Sequence, residues 1–293
     1  MKILLLGANG QLGKSVVEFS TSENWPIGWK LLAWDRVLGD LAKPDELVAR
    51  VADQKPDVII NAAAYTKVDQ AEKERALCEV INATAPAKLA EYCAKKKVTL
   101  VHYSTDYVYA GTGDAAHYET DPIAPNNFYG KTKGEGDQAI EKSGSDYLIF
   151  RTSWVYSHTG KNFVLTMLKL GAEMDSLKVV NDQIGSPSYA PDLAKYSLDA
   201  LMKALEQKVE GKRFPSGVYH LCNSGVTSWC DFAKAILPGK NINGIPSSEY
   251  PTPAKRPLNS RLSLKKLVAT FGLKPRPWQE ALADCLKQVK KAQ

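Results

Sequence analysis

The chain has 293 residues, 44% hydrophobic and 24% charged, a balance that suits a folded globular protein and excludes a disordered one. No apolar run approaches the roughly 20 residues of a membrane span. A formal net charge of +6 without any dense basic block gives nucleic acid no footing, so neither a membrane nor a nucleic-acid partner is expected. The five cysteines (Cys78, Cys93, Cys222, Cys230 and Cys285) are scattered without a C-x-x-C pair. That excludes a disulfide framework and a zinc site and points to a reducing, cytoplasmic setting.

The start, MKILLLGANG, has too short an apolar part for a signal peptide and reads as a first strand. Apolar runs recur at residues 3–6, 30–34, 58–62, 98–103 and 147–150. Amphipathic stretches separate them at 45–52 and 70–96, the latter with Ala71, Leu77, Val80, Ile81, Ala85 and Leu89 at helical spacing. Near-continuous apolar strands alternating with helices predict a doubly wound parallel sheet of Rossmann type. Beyond about residue 155 the regularity fades and proline and glycine thicken. The expected layout is a dinucleotide-binding domain over 1–155 and, over 156–293, mainly a smaller, less regular α/β substrate-binding lobe. Segments near 178–183 and 218–222 are expected to return to the sheet, and a last helix to run over 279–291.

GANGQLG (7–13) follows the first strand and opens a helical run. Gly7, Gly10 and Gly13 suit a tight turn, a close backbone approach to a pyrophosphate, and close helix–sheet packing, beside a helix N-terminus that attracts anions. The spacing is G-x-x-G-x-x-G. Asp35 stands 22 residues beyond Gly13, where an acid can grip ribose hydroxyls, and Arg36 beside it could meet a 2′-phosphate instead. Dual use of NADH and NADPH is the expectation. Asp40 and Leu41 suit the adenine side, although Asp40 could equally cap a helix. NAAAY (61–65) closes the third strand with small residues, as a tight turn or as a floor for a dinucleotide.

At the end of the fourth strand VHYSTDYVY (101–109) projects Ser104, Thr105 and Asp106 beyond Tyr103, either as turn caps or as substrate contacts. In YGKTK (129–133), Tyr129 and Lys133 stand four apart and share one helical face. The pair is either a solvated surface pair or an acid–base pair. A cation about 4 Å from the phenol would draw its pKa down.

Together GANGQLG, NAAA, STD and YGKTK resemble the extended short-chain dehydrogenase/reductases. Within them the chain is similar to the dTDP-4-dehydrorhamnose reductase family, through PDVIINAAAYTKVDQAE (56–72), HYSTDYVYAGTG (102–113), NNFYGKTKGEGD (126–137), LIFRTSWVY (148–156), NDQIGSP (181–187) and YPTPAKRPLNSRL (250–262). The resemblance runs nearly end to end. It implies hydride transfer from NADPH or NADH to C4 of dTDP-4-dehydro-L-rhamnose, with Tyr129 as proton donor, Lys133 on the nicotinamide ribose and Thr105 on the carbonyl oxygen. Carried over by position, it implies a cofactor shell of Gly10, Gln11, Leu12, Asp35, Asp40, Leu41, Ala64, Tyr65, Thr66, Tyr103, Tyr129 and Lys133. Substrate contacts fall on Thr105, Asp106 and Trp154. Arg256 and Arg261 are expected at the sugar-nucleotide diphosphate, because guanidinium forks match phosphate oxygens.

The resemblance has a gap at Ser15, which stands where some members carry a glutamate that holds a metal bridging two subunits. An Mg2+-bridged dimer is therefore not expected, and monomer and homodimer both stay open. Related nucleotide-sugar dehydratases carry Thr-Asp-Glu, whereas Tyr107 follows Asp106 here; epimerases do not account for RPLNSRL. A non-catalytic regulatory subunit of this fold would not require Thr105, Tyr129 and Lys133 together.

Overall fold

The computed structural model describes residues 1–291. In chain order β1 (Lys2–Leu6), α1 (Gln11–Phe19), β2 (Lys30–Trp34), α2 (Pro44–Gln54) and β3 (Val58–Asn61) form the first half of the sheet. There follow α3 (Val68–Ala71), α4 (Arg75–Glu79), a π-helical turn at Val80–Thr84, α5 (Ala85–Lys96), β4 (Thr99–Thr105), α6 (Phe128–Lys142) and β5 (Tyr147–Thr152). With Gly217–His220 these strands make a six-stranded parallel sheet, running from that strand through β5, β4, β3 and β1 to β2. The chain leaves β1 for β2 on one side and returns to β3 on the other. That reversal opens a crevice beyond the strand C-termini.

Strand periodicity divides β1 between two cores. Ile3 and Leu5 face α1 and the helix Ala190–Val209, while Leu4 and Leu6 face α2 and α5. Both faces are dry, as the unbroken apolar runs imply. Pro44, with Asp45 and Glu46 behind it, starts α2 in the way the helix macrodipole favours. Lys55 and Lys97 end α2 and α5 in the left-handed region.

Three expectations change. The stretch 70–96 is not one helix, because the chain breaks at 72–74 and then widens into the π turn. The turn aims Asn82 inward, where it accepts from the Tyr65 N–H at 2.9 Å and donates to the Tyr65 carbonyl at 3.0 Å. Backbone that leaves the sheet after β3 would otherwise be buried without partners. Next, 218–222 does supply the sixth strand at Gly217–His220, but 178–183 does not reach the sheet. Ser176–Val180 pairs instead with Asn241–Ile245 in a separate two-stranded ribbon. The reason lies in its burial: Leu177 and Val179 are buried while Ser176 and Lys178 are exposed, so it has one dry face and cannot sit inside a sheet covered on both.

The third change concerns the boundary near 155. Leu193, Leu198 and Leu201 of the helix Ala190–Val209, and Leu267 and Phe271 of Lys265–Phe271, belong to the core against the sheet. The smaller, less regular α/β layer has its own core around Tyr156, Val164, Phe232 and Trp278. Among the described residues no helix is long and apolar enough to cross a membrane.

The π turn and α6 meet at a glycine. A Cβ on Gly136 would lie 2.2 Å from the Asn82 carbonyl oxygen, a backbone atom that cannot step aside cheaply. Gly136→Ala should therefore destabilise the fold by about 1–3 kcal/mol through overpacking. Urea denaturation would show this as a lowered midpoint; an unchanged midpoint would mean the contact yields freely.

Candidate active site

The glycine turn after β1 is built by contacts that admit no side chain. Gly7 has φ +85° and donates its N–H to the Trp34 carbonyl at 2.9 Å. A Cβ on Gly13 would lie 2.1 Å from the Gly7 oxygen, and one on Gly7 would lie 2.8 Å from Ala63 N. Gly10 precedes α1 in extended conformation without a side-chain cap, which leaves the first-turn N–H groups to face an anion.

A cavity of about 580 Å³ opens over this turn. Gly7, Gly10, Gln11, Leu12, Arg36, Asp40, Leu41, Ala64 and Thr66 line one end, and Tyr103, Thr105, Asp106, Tyr129, Lys133 and Trp154 line the other. The cradle fits a dinucleotide: glycines where a Cβ would block the pyrophosphate, and a helix N-terminus behind them.

Several expected residues stand behind the wall. Gly13 is packed on Gly7. Tyr65 is buried, with its hydroxyl donating to Glu74 at 2.7 Å. Asp35 lies at the cavity's edge but outside its lining, and its Oδ1 accepts from the N–H groups of Val37 and Leu38 at 3.0 and 3.2 Å. Asp40 does not cap α2, which Lys43 precedes without a side-chain cap; the Asp40 Oδ1 accepts from Ala42 N–H at 3.0 Å within the turn, and it pairs with Arg36 at 3.5 Å. Arg256 is tied to Asp69 at 2.7 Å and donates to the Tyr107 hydroxyl at 3.3 Å, one residue removed from the lining. Arg261 is held on Asn259 at 3.0 Å, away from the cavity. No sequence pattern could have shown that both guanidinium groups have partners within the fold.

At the catalytic end β4 delivers Thr105 and α6 delivers Tyr129 and Lys133. Asn127 starts α6 by accepting from Gly130 N–H at 2.8 Å. Tyr107 meets the Tyr129 ring edge-on at 5.6 Å. Lys133 is only 1% exposed; its Nζ donates to the Tyr103 carbonyl at 2.6 Å and lies 3.0 Å from His102 Nε2. Burial pulls the Lys133 pKa down to about 8, against the opposing pull of Asp137 and Cys78.

The expected lowering of the Tyr129 pKa is not found. Burial raises it well above the ordinary phenol value, and only the Thr105 hydroxyl works strongly the other way. The ammonium is turned to Tyr103 and His102 rather than to the phenol, so desolvation wins. Thr105 donates to Asp106 Oδ1 at 3.1 Å and accepts from Tyr107 N–H at 3.2 Å. Asp106 also accepts from Ser260; burial nonetheless lifts its pKa to about 6.

Trp154 takes a left-handed backbone, φ +49°, and stacks on Trp229 at 3.7 Å. Trp229 also lines the cavity and was not expected, because it sits far along the chain with no local motif. Gly185 makes room for the indole, since a Cβ there would lie 2.8 Å from Trp154. Among the described residues no three His, Cys, Asp or Glu side chains gather closely enough to hold a metal. Ser15 donates to the Gln11 carbonyl at 3.1 Å within α1.

A parallel sheet with a glycine cradle at its switch point and a Thr–Tyr–Lys set at the far end of one cavity defines an extended short-chain dehydrogenase/reductase. Relatives narrow this. The family described as RmlD substrate binding domain matches residues 1–291. The dTDP-4-dehydrorhamnose reductase of Burkholderia thailandensis is 41% identical over 301 residues, covering 99% of both chains. That of Escherichia coli K12 is 39% identical, covering 99% of this chain and 98% of the relative. Among solved structures, the dTDP-4-dehydrorhamnose reductase of Clostridium acetobutylicum superposes with a TM-score of 0.90 at 35% identity, covering 99% of this chain and 100% of that one. The Bacillus anthracis reductase in complex with NADP gives 0.87 at 36%, covering 98% and 99%. The chain belongs to the dTDP-4-dehydrorhamnose reductase family, and it is an NAD(P)H-dependent oxidoreductase.

The two shifted groups set a pH window. Lys133 loses its charge as pH rises through about 8, and Asp106 takes up a proton as pH falls through about 6, whereas the raised Tyr129 phenol stays protonated throughout. A profile of kcat/KM, which reports the free enzyme, should hold a plateau between those limits. Asp106→Asn should remove the acid limb and leave the basic limb in place. An acid limb that survives the substitution would belong to another group.

Proposed function

We propose that the chain reduces the C4 ketone of dTDP-4-dehydro-L-rhamnose to dTDP-L-rhamnose, with NADH or NADPH as donor. The observation that carries this reading is the single cavity joining the glycine cradle to Thr105, Tyr129 and Lys133. The dinucleotide would rest on Gly7, Gly10, Gln11 and Leu12, and would supply the hydride. Tyr129 holds its proton firmly and releases it only to a strongly basic oxygen, such as a ketone oxygen that has just gained charge. Thr105 stands beside it to hydrogen-bond the same oxygen, and Lys133 supplies the nearby positive charge. The stacked indoles of Trp154 and Trp229 offer a flat apolar face to a deoxysugar. Arg256, beside Tyr107, remains the arginine proposed for the diphosphate; Arg261 does not. The five cysteines are free and buried, which suits work in a reducing cytoplasm.

Tyr129→Phe removes the proton donor and keeps the ring. Turnover should fall about 10²–10⁴-fold while cofactor affinity stays nearly unchanged. Retention of more than about a third of wild-type kcat would take Tyr129 out of this role.

The 2′ position of the cofactor is contested by Asp35, which repels a phosphate, and Arg36, which attracts one. Neither cofactor should be favoured by more than about tenfold, or ~1.4 kcal/mol. Asp35→Ala should shift the preference towards NADPH and Arg36→Ala towards NADH. The ratio of kcat/KM for the two cofactors decides; if neither substitution moves it, the 2′ position is read by other residues.

A further inference from the structure

His102, on β4 beneath the cavity, takes no part in the reaction as described, yet it touches the residue the reaction depends on. It is 1% exposed, with Nε2 3.0 Å from Lys133 Nζ and Nδ1 3.1 Å from Asn61 Nδ2. Burial, and then the Lys133 charge, push its pKa far below the ordinary value, so the ring is neutral. A neutral imidazole has one N–H and one lone pair. Here both ring nitrogens face nitrogen atoms, and an ammonium and an amide NH2 can only donate.

Two arrangements resolve the conflict. In the first, Lys133 is a neutral amine that accepts from Nε2–H. Asn61 then donates to Nδ1, and its Oδ1 accepts from the Ala63 N–H at 3.2 Å. In the second, Lys133 is an ammonium that donates to Nε2, and the ring proton sits on Nδ1. Asn61 must then turn its amide over so that Oδ1 accepts that proton, which withdraws the oxygen from Ala63 N–H. Ala63 lines the cavity beside Gly7. The trio takes up one proton in passing from the first arrangement to the second, and the ring carries one throughout.

We propose that Asn61, His102 and Lys133 form a buried hydrogen-bond switch, in which the charge on Lys133 sets the tautomer of His102 and the orientation of the Asn61 amide. His102 is thus a positioning residue, and it carries the state of the lysine to the Ala63 turn of the cofactor cleft. The proposal deepens the reductase reading, which names Lys133 as a catalytic group.

The surroundings leave Lys133 as the group that titrates. Facing it are Asp137 on α6, Cys78 on α4, and His102 and Tyr103 on β4. Asp137 is fixed by Arg151 from β5 and by Ser104, each at 2.9 Å. Burial raises the pKa of Cys78, Tyr103 and Tyr129. Because the charged state frees the Ala63 N–H, a dinucleotide in the cleft should favour the ammonium, and by linkage should raise the lysine's pKa.

The imidazole ¹⁵N resonances of His102 in the whole protein test this without substrate or turnover. At about pH 6 the ring should carry its proton on Nδ1 and at about pH 10 on Nε2, these limits lying two units either side of the lysine's titration. Added NADP⁺ should move the midpoint upward by about one pH unit, tenfold in proton affinity. In Lys133→Met the transition should vanish. One tautomer at both limits, or a transition that survives Lys133→Met, would overturn the proposal. A failure of ketone reduction would overturn the reductase reading and leave the tautomer result untouched.

Discussion

Lys133 is a long cation with almost no access to water, and the catalytic half of the protein is arranged around keeping it there. An ammonium in that position needs acceptors at hydrogen-bond distance, because an unpaired buried charge costs several kcal/mol. The Tyr103 carbonyl and His102 Nε2 lie at that distance, and both belong to β4. So α6 must lie close against the sheet, and its sequence shows how. A Cβ on Gly130 would strike the Tyr107 oxygen at 2.1 Å, one on Gly134 would meet Ile123 at 2.8 Å, and one on Gly136 would meet the Asn82 oxygen at 2.2 Å. Three glycines weaken an isolated helix by about 3 kcal/mol relative to alanine. The helix forms because packing against β4, β5 and the π turn fixes it.

That close approach has electrostatic consequences. A site this dry raises the pKa of Tyr129 and Asp106 and lowers that of Lys133, all through desolvation. A phenol that keeps its proton makes a poor base and a selective acid. It gives way only to an oxygen made strongly basic by hydride addition, which suits reduction of a ketone. The same dryness enforces the hydrogen-bond accounting at His102, where water cannot step in to relieve two donors that face each other.

The sheet brings the two ends of the cavity into register. Reversal of strand order between β1 and β3 opens the crevice, and parallel pairing of β3 and β4 sets Asn61 opposite His102. The loop that carries Ala63 and Ala64 therefore ends beside the residues that hold Lys133. Short connections after the strands suffice, since alignment comes from the ladder and not from the loops.

The sequence by itself determined the parallel sheet and the glycine cradle, from apolar runs of strand length and glycines at turn spacing. Local pattern left Thr105, Tyr129 and Lys133 open between turn caps or a surface pair and an acid–base set, and only resemblance to a family singled them out. The same resemblance placed Trp154, through similarity of the surrounding segment. Tertiary structure alone decided what depends on partners distant in the chain. Ser176–Val180 left the sheet because one of its faces is wet, which a short stretch reading Leu-Lys-Val-Val does not settle. Arg256 and Arg261 became engaged with Asp69, Tyr107 and Asn259, and Trp229 came to stack on Trp154 across 75 residues of chain. The shift of the Tyr129 pKa changed sign for the same reason. Charge proximity can be read from helical spacing, whereas desolvation depends on what the rest of the fold packs around the phenol.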